Sequence, residues 1–100
     1  MLSPHFRHLM WYAFAGTKGG FTRIRIMELL RKRPYNANQL SRELGVDYRT
    51  VTHHIKTLVE NNFIVCEGKK YGEVYFPTEM FQSEVQTFEE ILNKLGNTNK

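Results

Sequence analysis

Between residues 47 and 63 the run DYRTVTHHIKTLVENNF carries its apolar residues at helical spacing. At 3.6 residues per turn Val51, Ile55 and Leu58 share one side, with Val59 at its edge, while Arg49, His53 and Lys56 point the opposite way. Asp47 stands where an N-cap side chain accepts hydrogen bonds from first-turn amides. Just upstream, NANQLSRELGV holds a second, shorter helical pattern with Ala37, Leu40 and Leu44 inward. Asn36 and Gln39, three residues apart, predict a capping box at its start, and Gly45 is a natural terminator. Only Val46 separates Gly45 from Asp47, so a tight turn joins the two helices.

The flanking pattern predicts three more helices and one hairpin. Residues 3 to 15 open with Ser3 as N-cap and Pro4 at the first helical position. Phe6, Met10, Ala13 and Phe14 then make a stripe, which Leu9, Trp11 and Tyr12 widen beyond one face. After the glycine-rich connection GTKGGF, Thr22 is expected to cap a helix over RIRIMELLRKR. Ile26, Met27, Leu29 and Leu30 form its buried stripe and Pro34 ends it. Asn61 and Asn62 close the central helix, and FIVCEGKKYGEVYF then reads as a β-hairpin, with strands at 64 to 66 and 74 to 76. From Thr78 one last helix runs to about residue 95, where Phe81, Val85, Phe88, Leu92 and Leu95 repeat at spacings of four and three.

Two helices joined by so short a turn read as a helix-turn-helix, the second being the recognition helix, and a hairpin immediately after it is a wing. The expected fold is mainly α with a small β-hairpin, an α+β winged helix-turn-helix. It forms a single domain over residues 1–100, with the helix-turn-helix at about 36–62, the wing at about 63–77 and the C-terminal helix at about 78–95.

Charge sharpens this picture. The net charge of +4 is unevenly placed, because residues 1 to 72 hold 12 Lys/Arg against 5 Asp/Glu, and residues 73 to 100 hold 2 against 5. The cationic part coincides with the helix-turn-helix, which favours a polyanionic partner. In a helix-turn-helix the first helix crosses the DNA backbone, making Gln39 and Arg42 candidate phosphate contacts. On the recognition helix, Arg49 would read guanine, Thr50, Thr52 and His53 would meet base edges or phosphates, and Lys56 would neutralise a phosphate. Tyr48 would touch backbone or a thymine methyl, and Lys69 and Lys70 at the wing tip would reach backbone or minor groove. His54, on the flank of the core face, reads as a packed, hydrogen-bonded histidine. Most of Arg23, Arg25, Arg31, Lys32 and Arg33 are expected in solvent, one or two near the helix ends touching phosphates.

Other chemistries fare worse. Cys66 is the single cysteine, which excludes an intramolecular disulfide and fits a reducing cytoplasm; its strand neighbours suggest a small buried hydrophobe. GTKGG lacks the spacing of a phosphate-binding loop. His5 and His8 stand three apart with no third ligand nearby, and no acid, base and nucleophile converge, so neither metal, cofactor nor enzymatic activity is expected. The apolar patch at residues 9 to 16 falls far short of the roughly 20 residues a membrane helix needs, so a cytoplasmic location is expected.

The segment RTVTHHIKTLVENNFI resembles the recognition-helix pattern S-T-V-S-H-H-L-K-x-L of arsenic-repressor-like (ArsR) regulators. Thr50, Val51, Thr52, His53, His54, Ile55, Lys56 and Leu58 stand at the matching positions, and YGEVYFPT continues the likeness as in many archaeal winged-helix proteins, so that it covers about residues 22 to 78. The resemblance implies a homodimeric DNA-binding transcriptional regulator, commonly a repressor, with double-stranded DNA as partner. A dimer fits the wide apolar surface of the N-terminal helix and the seam of the last one, which makes Leu9, Trp11, Phe81, Val85, Phe88, Leu92 and Leu95 the expected pairing residues. Metal-sensing members carry paired cysteines before the recognition helix or histidine and acidic clusters in the dimer helix. Residues 39 to 44 contain no cysteine and the last helix no histidine, so those sites are not expected. The alternative is a winged helix that binds another protein, against which the polar, cationic helix face argues.

Overall fold

The computed structural model describes residues 3–68 and 72–96. Six helices and one antiparallel hairpin follow in the order α1 (Pro4–Ala15), α2 (Gly20–Leu30), α3 (Ala37–Leu44), α4 (Tyr48–Glu60), β1 (Ile64–Glu67), β2 (Val74–Pro77), α5 (Glu79–Ser83) and α6 (Val85–Gly96). The mainly helical winged helix-turn-helix read from the sequence is therefore the fold. Lys69 and Lys70, expected at the wing tip, lie outside the described residues.

Local chemistry sets most boundaries. The Ser3 side chain accepts from the Phe6 N–H and Pro4 opens α1. Asn36 and Gln39 form the full capping box of α3, each side chain accepting from the other's N–H at 2.8 and 2.9 Å. Gly45 ends α3 in the left-handed region at φ 65°. The Ser41 hydroxyl donates to the Val46 carbonyl at 2.6 Å and tightens that turn. Asn62 ends α4 the same way at φ 64°, with the Phe63 N–H donating to the Leu58 carbonyl at 2.9 Å and the Asn62 N–H to Val59 at 3.0 Å. That closure turns Phe63 directly into the core.

The centre of the domain is aromatic. The Phe14 ring lies 5.2 Å from Phe63, 6.4 Å from Phe81 and 5.3 Å from Phe88, mostly edge to face. Phe6 meets Phe63 at 5.2 Å, and Phe81 meets Phe88 at 5.2 Å. One cluster thus joins α1, the entry to β1, α5 and α6, while Val51, Ile55 and Leu58 bury the inner face of α4, as its periodicity predicts. The wing is anchored by a contact the sequence does not announce. Tyr35, alone before α3, bridges to Tyr75 of β2, whose N–H donates to the Tyr35 carbonyl at 2.8 Å.

Four expectations need correction. First, the C-terminal helix is not continuous: it breaks at Glu84, which is 3% exposed and accepts from the Ser3 N–H at 3.1 Å. Second, Phe81 and Phe88 cannot pair with another chain, because both are fully buried in the protomer's own core. Leu9, Trp11, Val85 and Leu92 pack partly against that core, and Leu95 is exposed. Third, α2 starts at Gly20, so Thr22 lies within the helix rather than capping it. Fourth, Cys66 is exposed, because a two-stranded hairpin leaves the outer positions of β1 with no layer above them.

Candidate nucleic-acid interface

The outer face of α4 is presented by a helix fixed at both ends. At its N-terminus the Asp47 carboxylate accepts from the Arg49 N–H at 3.0 Å and the Thr50 N–H at 3.4 Å. Its C-terminus is closed by Asn62, and its inner face by the core. Arg49, His53 and Lys56 then fall at i, i+4 and i+7, all exposed, with Thr50 beside them. The stripe spans roughly 10 Å, at 1.5 Å per residue. Tyr48 stands half in solvent at the start of the helix. Thr52 is half-buried and its hydroxyl donates to the Arg49 carbonyl at 2.9 Å, so the hydroxyl oxygen remains as an acceptor for an outside group.

On α3, Arg42 is exposed, but Gln39 is only half so. Its Oε1 is taken by the capping box, leaving the side-chain amide N–H groups as donors. Three cations of α2 and the segment after it are engaged within the protein. Arg31 pairs with Glu89 at 3.0 Å, Arg33 lies 3.7 Å over the Tyr35 ring, and Arg25 lies 5.8 Å from the Phe21 centroid. These three guanidiniums are positioned by their own neighbours.

One more residue departs from its expected place, Arg23. It is 6% exposed, not solvated, and its guanidinium reaches His54 Nδ1 at 3.1 Å. His54 is packed and hydrogen-bonded as expected, 7% exposed behind His53. A signal was present: Arg23 stands at i with Ile26, Met27 and Leu30 at i+3, i+4 and i+7, on the buried stripe of α2. His5 and His8 are exposed, and among the described residues no three His, Cys, Asp or Glu side chains gather as a metal site requires.

Residues 21–65 match the family model described as the bacterial regulatory protein, arsR family. No curated protein matches the chain. Among solved structures, a MarR transcriptional regulator from Methanosarcina mazei Go1 aligns over 94% of this chain and 68% of its own, with a TM-score of 0.71 and 16% identity. Rv0081 from M. tuberculosis aligns over 98% of both chains, with a TM-score of 0.67 and 16% identity. Reduced HlyU from Vibrio cholerae N16961 aligns over 89% of this chain and 87% of its own, with a TM-score of 0.66 and 16% identity. At such identities these structures establish the fold, while the ArsR likeness rests on the matched helix-turn-helix segment. With a capped recognition helix, a hairpin behind it and that match, the chain is an ArsR-like winged helix-turn-helix protein, a DNA-binding transcription regulator.

Proposed function

We propose that the protein is a homodimeric repressor that reads a palindromic duplex. One α4 enters each of two successive major grooves, roughly 34 Å apart. The observation that carries this reading is the exposed stripe of Arg49, His53 and Lys56 on a helix whose inner face is buried and whose two ends are capped. Arg49 offers a bidentate donor pair to guanine, His53 and Thr50 meet base edges or phosphates, and Thr52 and Tyr48 contact the strand beside them. Lys56 neutralises a phosphate, Arg42 and the Gln39 amide hold the backbone from α3, and Lys69 and Lys70 of the wing reach the backbone or minor groove. The second protomer docks through the outer side of α1, with Leu9 and Trp11, and the flank of α6, with Val85, Leu92 and Leu95. Among the described residues no helix is long and apolar enough to cross a membrane.

Selection of bound sequences from a random duplex pool tests this directly. A palindrome with half-sites one helical turn apart is expected. Against the selected duplex, Arg49→Ala is expected to cost about 1–3 kcal/mol and to relax preference at one position of each half-site. If Arg49→Ala and His53→Ala both leave duplex binding unchanged at moderate salt, α4 is not the reading element.

A further inference from the structure

Arg23 is a buried guanidinium without a carboxylate partner: the ion pairs among the described residues are Arg7 with Glu84 and Arg31 with Glu89. Its donors go instead to three neutral acceptors. Nε donates to the Ala13 carbonyl at 2.9 Å, Nη2 to the Thr17 hydroxyl, and Nη1 to His54 Nδ1 at 3.1 Å. These acceptors belong to the end of α1, the α1–α2 connection and the middle of α4, so one side chain of α2 ties three parts of the domain together. The connection closes tightly over the pair. A Cβ on Gly19 would lie 2.6 Å from both Arg23 Nη1 and His54 Cε1.

The chemistry of this contact has one solution. A guanidinium can only donate, so His54 Nδ1 must present its lone pair, and the ring is neutral with its proton on Nε2. We infer that Arg23 and His54 are positioning residues that seat α4 for DNA, and that a proton on His54 Nδ1 opens this latch. The inference rests on the reading of α4 as the DNA-contacting helix. Protonation would turn the acceptor into a donor and set an imidazolium against a guanidinium out of water.

The surroundings offer no compensation. Arg23 faces the ring from α2, His53 faces it from α4 itself at 5.6 Å between ring centroids, and Tyr12 of α1 acts on Arg23. The ionisable side chains of α3 and β1, namely Arg42, Glu43, Cys66 and Glu67, are exposed. Burial first, then Arg23, then His53 hold the His54 imidazolium below its ordinary range. The sign follows. The unfolded chain takes up the proton as pH falls through about 6.5, before the native ring does. The contribution to stability is therefore full above that pH, and it declines as pH falls toward the lowered native value, where the latch opens.

The test compares duplex binding by fluorescence anisotropy at constant ionic strength, between about pH 7.5 and 5.0, a range that runs from above the free imidazole to well below it, where the native ring takes up its proton. Both proteins carry His53→Gln, so that His54 is the one imidazole of α4 in the comparison. One keeps His54; the other carries His54→Asn, whose Oδ1 can accept where Nδ1 does and does not titrate. The first is expected to lose affinity on acidification, by up to about tenfold per pH unit for each His54, and the second to stay flat. Equal pH slopes in the two overturn the inference while leaving the DNA reading intact. Failure of the wild type to bind any duplex at any pH overturns the DNA reading and the positioning role with it. Imidazole nitrogen shifts of the wild-type chain decide the case even if His54→Asn does not fold: an Nδ1–H tautomer near neutral pH overturns the latch.

Discussion

Replacing Lys56 with alanine should change how DNA binding responds to salt. Arg42, Arg49 and Lys56 are the exposed cations on the described part of α3 and α4, and none forms an ion pair among the described residues. If each places one positive charge on the duplex, Arg42 and Lys56 at phosphates and Arg49 at guanine, every contact releases about 0.9 counter-ion, so log K falls against log salt with a slope of about −2.7 per protomer and −5.4 per dimer. Raising salt from about 50 to 200 mM then weakens binding by roughly three decades. Without Lys56 the dimer keeps two contacts per protomer, the slope shallows to about −3.6, and the same change costs roughly two decades. Lys69 and Lys70, if engaged, steepen both series equally and leave the difference of about 1.8 untouched. The assay is an anisotropy titration at four or more salt concentrations, repeated on the selected operator and on an unrelated duplex. Lys56→Ala should shallow both alike, since a phosphate contact carries no sequence information. An unchanged slope on either duplex would refute the placement of Lys56 on the backbone. A wild-type slope near zero would refute electrostatic engagement by this face altogether.

Two further outcomes test the protomer and its pairing. Phe88→Ala removes a ring that touches Phe14 and Phe81 and has no solvent exposure, so a loss of about 3–5 kcal/mol in urea-unfolding stability is expected; a loss under about 1 kcal/mol would return Phe88 to the surface. Trp11→Ala, on the outer side of α1, should weaken self-association by at least 2 kcal/mol, roughly thirtyfold in the dimer dissociation constant, by sedimentation; an unchanged association would move the interface elsewhere.

The helix-turn-helix was legible because every device that shapes it is local. Asn36 and Gln39 are three residues apart, Gly45 acts on its own turn, and Asp47 reaches only Arg49 and Thr50. What escaped depends on distant partners. Arg23 finds acceptors 10 and 31 residues away, so its charge suggested solvent although its helical phase matched Ile26, Met27 and Leu30. The tie between Tyr35 and Tyr75 spans α3 and α4, with nothing periodic to mark it. Cys66 follows a strand pattern, but a pattern cannot tell whether a second layer will cover that strand.

The seam of Phe81, Val85, Phe88, Leu92 and Leu95 teaches the sharpest lesson, since periodicity finds an apolar face without saying whose core it fills. Breaking the helix at Glu84 brings both phenylalanines into the protomer, where they meet Phe14 of α1. A symmetric coiled coil through α6 is thereby deprived of its largest knobs, and the proposed pairing rests more on Leu9 and Trp11 of α1. That shift has a mechanical consequence. The same α1 offers its Ala13 carbonyl to Arg23, which holds His54 of α4. The helix proposed for pairing and the helix proposed to read DNA therefore share a buried fastening two residues beyond Trp11. In the proposed dimer, a change in how two protomers meet would have a short, hydrogen-bonded route to the angle at which α4 meets DNA.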